Sequence, residues 1–115
     1  MRDYHNYQTL KKVMNSIWWQ PTEIISGCCS GCDRLGERWA LENNIPIKKF
    51  PADWQKYGKR AGMIRNRQMA EYGEALVAIW NGKSRGTGNM IKTARELGLK
   101  VVVQLVNENK EQNLV

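Results

Sequence analysis

Glu23-Ile24-Ile25-Ser26-Gly27-Cys28-Cys29-Ser30-Gly31-Cys32-Asp33-Arg34-Leu35-Gly36-Glu37 decides the fold. A short apolar strand runs into small residues and glycines, and an acidic residue then opens an amphipathic helix. In an α/β protein that order places backbone N–H groups and a helix N-terminus at the end of a strand, where an anionic or polyhydroxylated ligand can sit. Gly27 and Gly31 allow a tight turn and close approach of the backbone, and Asp33 serves either as a helix cap or as an acceptor for ligand hydroxyls. The plain alternative is a strand-to-helix connection with an Asp cap, because the spacing departs from the G-x-G-x-x-G dinucleotide fingerprint.

Outward from this stretch the apolar pattern alternates between helix and strand. Leu10, Val13, Met14, Ile17 and Trp18 predict a helix with one buried face, ended by Pro21. Strands are expected at Glu23 to Ser26, Ile47 to Phe50, Ala75 to Trp80 and Val101 to Val106. The second helix follows Cys32, Leu35, Gly36, Trp39 and Ala40 and stops near Asn43 and Asn44. Residues 51–62 read as a loop with a turn, followed by a helix over Ala61 to Tyr72. A fourth helix has Thr87 as its N-cap, Met90, Ile91, Ala94 and Leu97 on its buried face, and Gly98 at its end. Strands this apolar, alternating with helices, predict a Rossmann-like α/β three-layer sandwich with a mainly parallel sheet. The pattern begins with a helix, whereas a doubly wound sheet begins with the strand that becomes its centre.

The chain of 115 residues is sized for one domain, expected over 1–107, with a polar tail over 108–115. No apolar run is long enough for a bilayer span and the first residues lack a secretory pattern, so a cytoplasmic protein without a membrane partner is expected. Three cysteines within five residues fit a reducing compartment rather than a disulfide framework. Cys28, Cys29 and Cys32 resemble half of a zinc site, yet the lone histidine, His5, is distant in sequence; no metal and no cofactor are expected. The net charge of +7 suits an anionic partner, a phosphate-bearing small molecule or nucleic acid, although the cations are scattered.

Two further groups stand out. Gly82-Lys83-Ser84-Arg85-Gly86-Thr87-Gly88 places two cations in a glycine-rich turn ahead of a helix, either a phosphate cradle or a solvated loop. It is no P-loop, because Val77 occupies the position of that motif's first glycine. Arg65-Asn66-Arg67 sits near the start of the third helix, with Lys59 and Arg60 before it. Trp54 and Tyr57 either stack on a base or close the core.

Taken together, SGCCSGCDRLGERWA, the stretch from Phe50 to Ile91 and the closing Lys100-Val101-Val102-Val103 resemble the YspA-like, cpYpsA-related branch of the SLOG superfamily. The resemblance implies a Rossmann-like fold related to lonely-guy phosphoribohydrolases and to Smf DNA-processing proteins, and binding of a nucleotide or nucleotide-derived ligand, as in a sensor. It maps the first glycine motif to Ser26, Gly27, Gly31 and Asp33, the arginine-bearing helix to Arg65, Asn66 and Arg67, and the second glycine motif to Gly82, Ser84, Gly86 and Thr87. It also puts the cysteines at small-residue positions. In the related hydrolases a glutamate follows the second motif; here that position is Met90, which cannot transfer a proton. Phosphoribohydrolase activity and single-strand nucleic-acid binding stand as the alternatives. Relatives begin with a strand ahead of Arg2 and Asp3; its absence from the pattern predicts that a second chain covers the gap, in a symmetric homo-oligomer.

Overall fold

The computed structural model describes residues 6–27 and 32–106, with the side chain of Cys32 excluded. Helix α1 spans Tyr7–Ser16, β1 Ile24–Ser26, α2 Cys32–Glu42, β2 Ile47–Lys49, α3 Trp54–Tyr57, α4 Ala61–Tyr72, β3 Ala75–Trp80, α5 Arg85–Glu96 and β4 Lys100–Leu105. The mixed α/β, Rossmann-like order of elements is the one expected.

Helix boundaries follow from local hydrogen bonding. Asn6 caps α1 by accepting from the Thr9 amide (3.2 Å), and Ser16 Oγ donates to the Val13 carbonyl (2.7 Å). That side-chain bond competes with the helix ladder, and Ile17 is already extended. The helix therefore stops short of Ile17 and Trp18, and Trp18 is exposed rather than part of the buried face. Helix α2 ends in a Schellman turn: Asn44 has φ +56°, its amide donates to Leu41 and that of Ile45 to Ala40. Gly98, at φ +78°, closes α5 in the same way, with Leu99 donating to Ala94.

Two assignments are corrected. Residues 51–62, expected as a loop, contain α3 and a 3₁₀ turn over Gly58–Arg60. The Asp53 carboxylate accepts from the Lys56 amide (3.0 Å) and starts that turn, a cap not weighed in the sequence. Helix α5 begins after Ser84 rather than at Thr87, because Asn81 Oδ1 accepts from the amides of both Lys83 and Ser84 (2.8 Å each) and sets the helix start. On its inner face Ile91, Thr93 and Ala94 are buried, while Leu97 is exposed.

Every strand pairing is parallel, yet the strands form two sheets. β1 pairs β2 from Ile24↔Ile47 to Ser26↔Lys49, and β3 pairs β4 from Ala75↔Lys100 to Trp80↔Leu105. One core nevertheless spans both. Tyr7 and Leu10 of α1, Leu35, Trp39 and Ala40 of α2, and Ile45 pack with Ile79 of β3, and Ile24, Ile47 and Val106 close in around them.

Candidate functional site

The C-terminal ends of β1 and β3 are joined by side chains of α4. The Arg65 side chain lies across Gly27: a Cβ there would stand 2.9 Å from Arg65 Cδ and Nη1, so a larger residue would have to displace the guanidinium. Arg65 Nη1 donates to the Gly27 carbonyl (2.8 Å), and Nε donates to Asn66 Oδ1 (3.3 Å). Asn66 is buried and donates through Nδ2 to Asn89 Oδ1 (3.0 Å) and to the Gly86 carbonyl (3.4 Å). A continuous polar chain thus runs from the first glycine turn through α4 to the first turns of α5. Arg65 and Asn66 are adjacent in sequence, and the helix aims Arg65 towards Gly27 after β1 and Asn66 towards the first turns of α5. Arg67, next in line, points to solvent and pairs with Glu71 (2.9 Å).

The remaining predicted residues divide. Ser26 is fully buried and its hydroxyl donates to Glu37 Oε2 (2.5 Å); Glu37 in turn faces Arg34 at 3.6 Å. Ser26 thereby ties the end of β1 to α2. Asp33 lies in the first turn of α2, where its charge complements the helix dipole. Gly82, at φ +79°, permits the tight turn after Asn81. The amides of Lys83 and Ser84, the natural donors of a phosphate cradle, already serve Asn81, so the donors left for an anion are those opening α5 at Arg85 and Gly86, which have no carbonyl partner within the helix. Ser84 Oγ donates to Thr87 Oγ1 (3.3 Å), and the Ser84 carbonyl accepts from Trp80 Nε1 (3.0 Å). Gly31, Cys28 and Cys29 lie outside the described residues, as do Arg2, Asp3 and the tail. Among the described residues no three His, Cys, Asp or Glu side chains gather as metal ligands.

Sequence reasoning missed Asn89 and Glu37. Asn89 stands two residues beyond the second glycine motif; its partnership with Asn66 depends on α4 lying against α5. Glu37 reads as an ordinary exposed helix residue, and only the packing of α2 against β1 brings Ser26 to it.

Beside Arg65 opens a cavity of about 210 Å³, lined by Pro51, Asp53, Lys56, Tyr57, Ile64 and Gln68. Tyr57 and Trp54 are exposed here, so the loop aromatics do not close the core. Two phenols elsewhere are shifted. The hydrogen bond from the Tyr72 hydroxyl to Glu23 raises the Tyr72 pKa, and burial raises that of Tyr7, with Glu42 adding to it.

No helix among the described residues is long and apolar enough to cross a membrane. Comparison with known proteins covers the first glycine motif. The sequence profile of the YspA, cpYpsA-related SLOG family matches residues 2–57. The chain is also similar to the Gene 61 protein of Mycobacterium phage D29, with 31% identity over 85 residues, covering 69% of this chain and 68% of the phage protein. No solved structure matches. The profile match over residues 2–57 and the phage relative together place the chain in the YspA, cpYpsA-related SLOG family.

Proposed function

We propose that the protein binds a nucleotide or nucleotide-derived ligand beside Gly27, at the C-terminal end of β1, in the cavity between α3 and α4, acting as a sensor of it. Family membership fits a nucleotide-related role, in binding or in processing. The observation that carries the reading is the Arg65 guanidinium held over Gly27, beside an open polar cavity with Lys56 and Tyr57 on its rim. Two cations supply charge for a phosphate, Asp53 and Gln68 supply partners for ribose hydroxyls, and Tyr57 offers a ring for a base. The cavity is smaller than the 300–1,000 Å³ or so of typical ligand sites, which suits a ribose-phosphate portion with the base outside. Met90 at the position of the related hydrolases' glutamate favours binding over hydrolysis.

Titration calorimetry with AMP, ADP and ribose 5-phosphate tests the reading. Losing a hydrogen bond to a charged group costs about 1.5–3 kcal/mol, so Arg65→Ala should weaken binding about 10–100-fold. Unchanged affinity in a folded Arg65→Ala variant would move the site elsewhere.

A second reading has one observation in its favour. Trp54 and Tyr57 are exposed at 52% and 36%, and exposed Lys56, Lys59 and Arg60 lie within the same short segment, Lys56 over the Tyr57 ring. Such a surface suits single-stranded nucleic acid. Oligonucleotide affinity falling steeply with salt, and lost in Trp54→Ala with AMP binding intact, would favour this reading.

A further inference from the structure

Helix α4 packs against α5, and the two meet through a pair of amides, Asn66 and Asn89. Each shares its helix face with a small buried residue four positions on, Ala70 and Thr93 respectively. Two apolar side chains of similar shape would hold such a contact about as well, so the amides answer to something beside it.

What they answer to stands on either side of Asn66. Arg65 Nε is always a donor and needs an acceptor, whereas the Gly86 carbonyl is always an acceptor and needs a donor. Asn66 meets both only with Oδ1 towards Arg65 (3.3 Å) and Nδ2 towards Gly86 (3.4 Å). Both bonds are long. The shorter bond, from Nδ2 to Asn89 Oδ1 at 3.0 Å, is what keeps the amide from turning over. A turned amide would set its NH₂ group against the Arg65 donor. We infer that Asn89 is a positioning residue for the ligand site: it fixes the Asn66 amide and, through it, the Arg65 guanidinium over Gly27. The inference rests on the reading of Arg65 as a phosphate-binding group.

Asn89 is itself set by β3. Trp80 ends that strand, its Nε1 donates to the Ser84 carbonyl (3.0 Å), and Gly88 lies against its ring, where a Cβ would stand 3.2 Å from Cζ2. These contacts seat the first turns of α5 on Trp80 and so fix which face of the helix Asn89 shares with Thr93. Arg65 is therefore held from both half-sheets, by the Gly27 carbonyl after β1 and by a chain of amides that starts on β3.

The test follows the Arg65 Nε–H signal by heteronuclear NMR of the whole chain, with AMP titrated by calorimetry in parallel. Asn89→Leu keeps the shape and removes the acceptor. It should speed exchange of the Arg65 Nε–H and weaken AMP binding, each by about 3–10-fold, with an unchanged circular dichroism spectrum. Asn89→Asp keeps the acceptor and should leave the Arg65 signal as in the wild type. A residue that merely packs the helices would rank the two the other way, leucine mild and aspartate severe. In the wild-type chain, without any variant, the Asn66 side-chain amide protons should exchange slowly. Fast exchange of those protons, an Arg65 signal unmoved in Asn89→Leu, the reversed ranking, or unchanged AMP affinity in a leucine variant whose Arg65 signal has moved would each overturn the inference. AMP that fails to bind the wild-type chain would instead sink the nucleotide reading, while the Arg65 signal alone decides the hydrogen-bond chain.

Discussion

The two half-sheets differ in how they are held. In the β3–β4 half, six-residue strands pair along their whole length. In the β1–β2 half the ladder is three residues long, and Ser26, its last residue, is secured by a side-chain bond to Glu37. The longer half is a scaffold stabilised by its own pairing, whereas the shorter one depends on what packs around it. The Gly27 carbonyl, directly after β1, lies within reach of Arg65. The halves communicate through side chains at both ends of the cleft between β1 and β3. At the C-terminal end Arg65 and Asn66 bridge the turns, and at the other end the Tyr72 hydroxyl donates to Glu23 while Gly73 presses on Ile25.

Ile79 is the sharpest point at which to break the shared core, since it is a β3 side chain buried among α1 and α2 residues, at 3% exposure. Ile79→Ala should cost about 2–5 kcal/mol in urea unfolding, and both halves should melt together. Loss of β1–β2 protection alone, with β3–β4 intact, would show that the halves fold separately.

Next comes Gly73→Ala. A Cβ at this position would stand 2.8 Å from Ile25 Cδ1 and 3.2 Å from the Met69 carbonyl oxygen. The clash should cost about 1–3 kcal/mol in the same measurement, because the carbonyl cannot swing away as a side chain end can. Gly36→Ala, with open space around it, is the control and should be neutral or stabilising.

Asn66→Ala tests the bridge at the ligand end. It leaves the Gly86 carbonyl and Asn89 Oδ1 without this donor, at about 1–2 kcal/mol, and frees the Arg65 side chain from one of its anchors. Ligand affinity should fall more than stability does, a split that calorimetry and unfolding together would measure.

The smallest effect is expected at Tyr7, whose hydroxyl is buried with no hydrogen-bond partner among the described residues, under an Arg38 guanidinium 3.9 Å from the ring centre. Tyr7→Phe removes an unsatisfied polar atom and keeps the ring, so thermal unfolding should shift upward slightly, by about 1 kcal/mol or less.

The sequence by itself determined the order of the four strands and the four longer helices, while α3 went unseen within a stretch that reads as loop. Alternating apolar strands and amphipathic helices need only local periodicity to be recognised, and Gly98 announces the end of α5 through backbone freedom alone. Gly27, Arg65, Asn66 and Gly86 were brought together in the sequence only through the family resemblance, and the structure links them by side-chain hydrogen bonds. What only the tertiary structure decided were the relations between distant residues. Asn66 meets Asn89 because α4 lies against α5, and Ser26 finds Glu37 because α2 packs against β1. Asn81 consumes the amides of a turn that composition alone reads as a phosphate cradle. Pairing of strands, too, is a competition among edges that no single strand's sequence contains, and here it leaves β1 and β3 facing one another across a cleft.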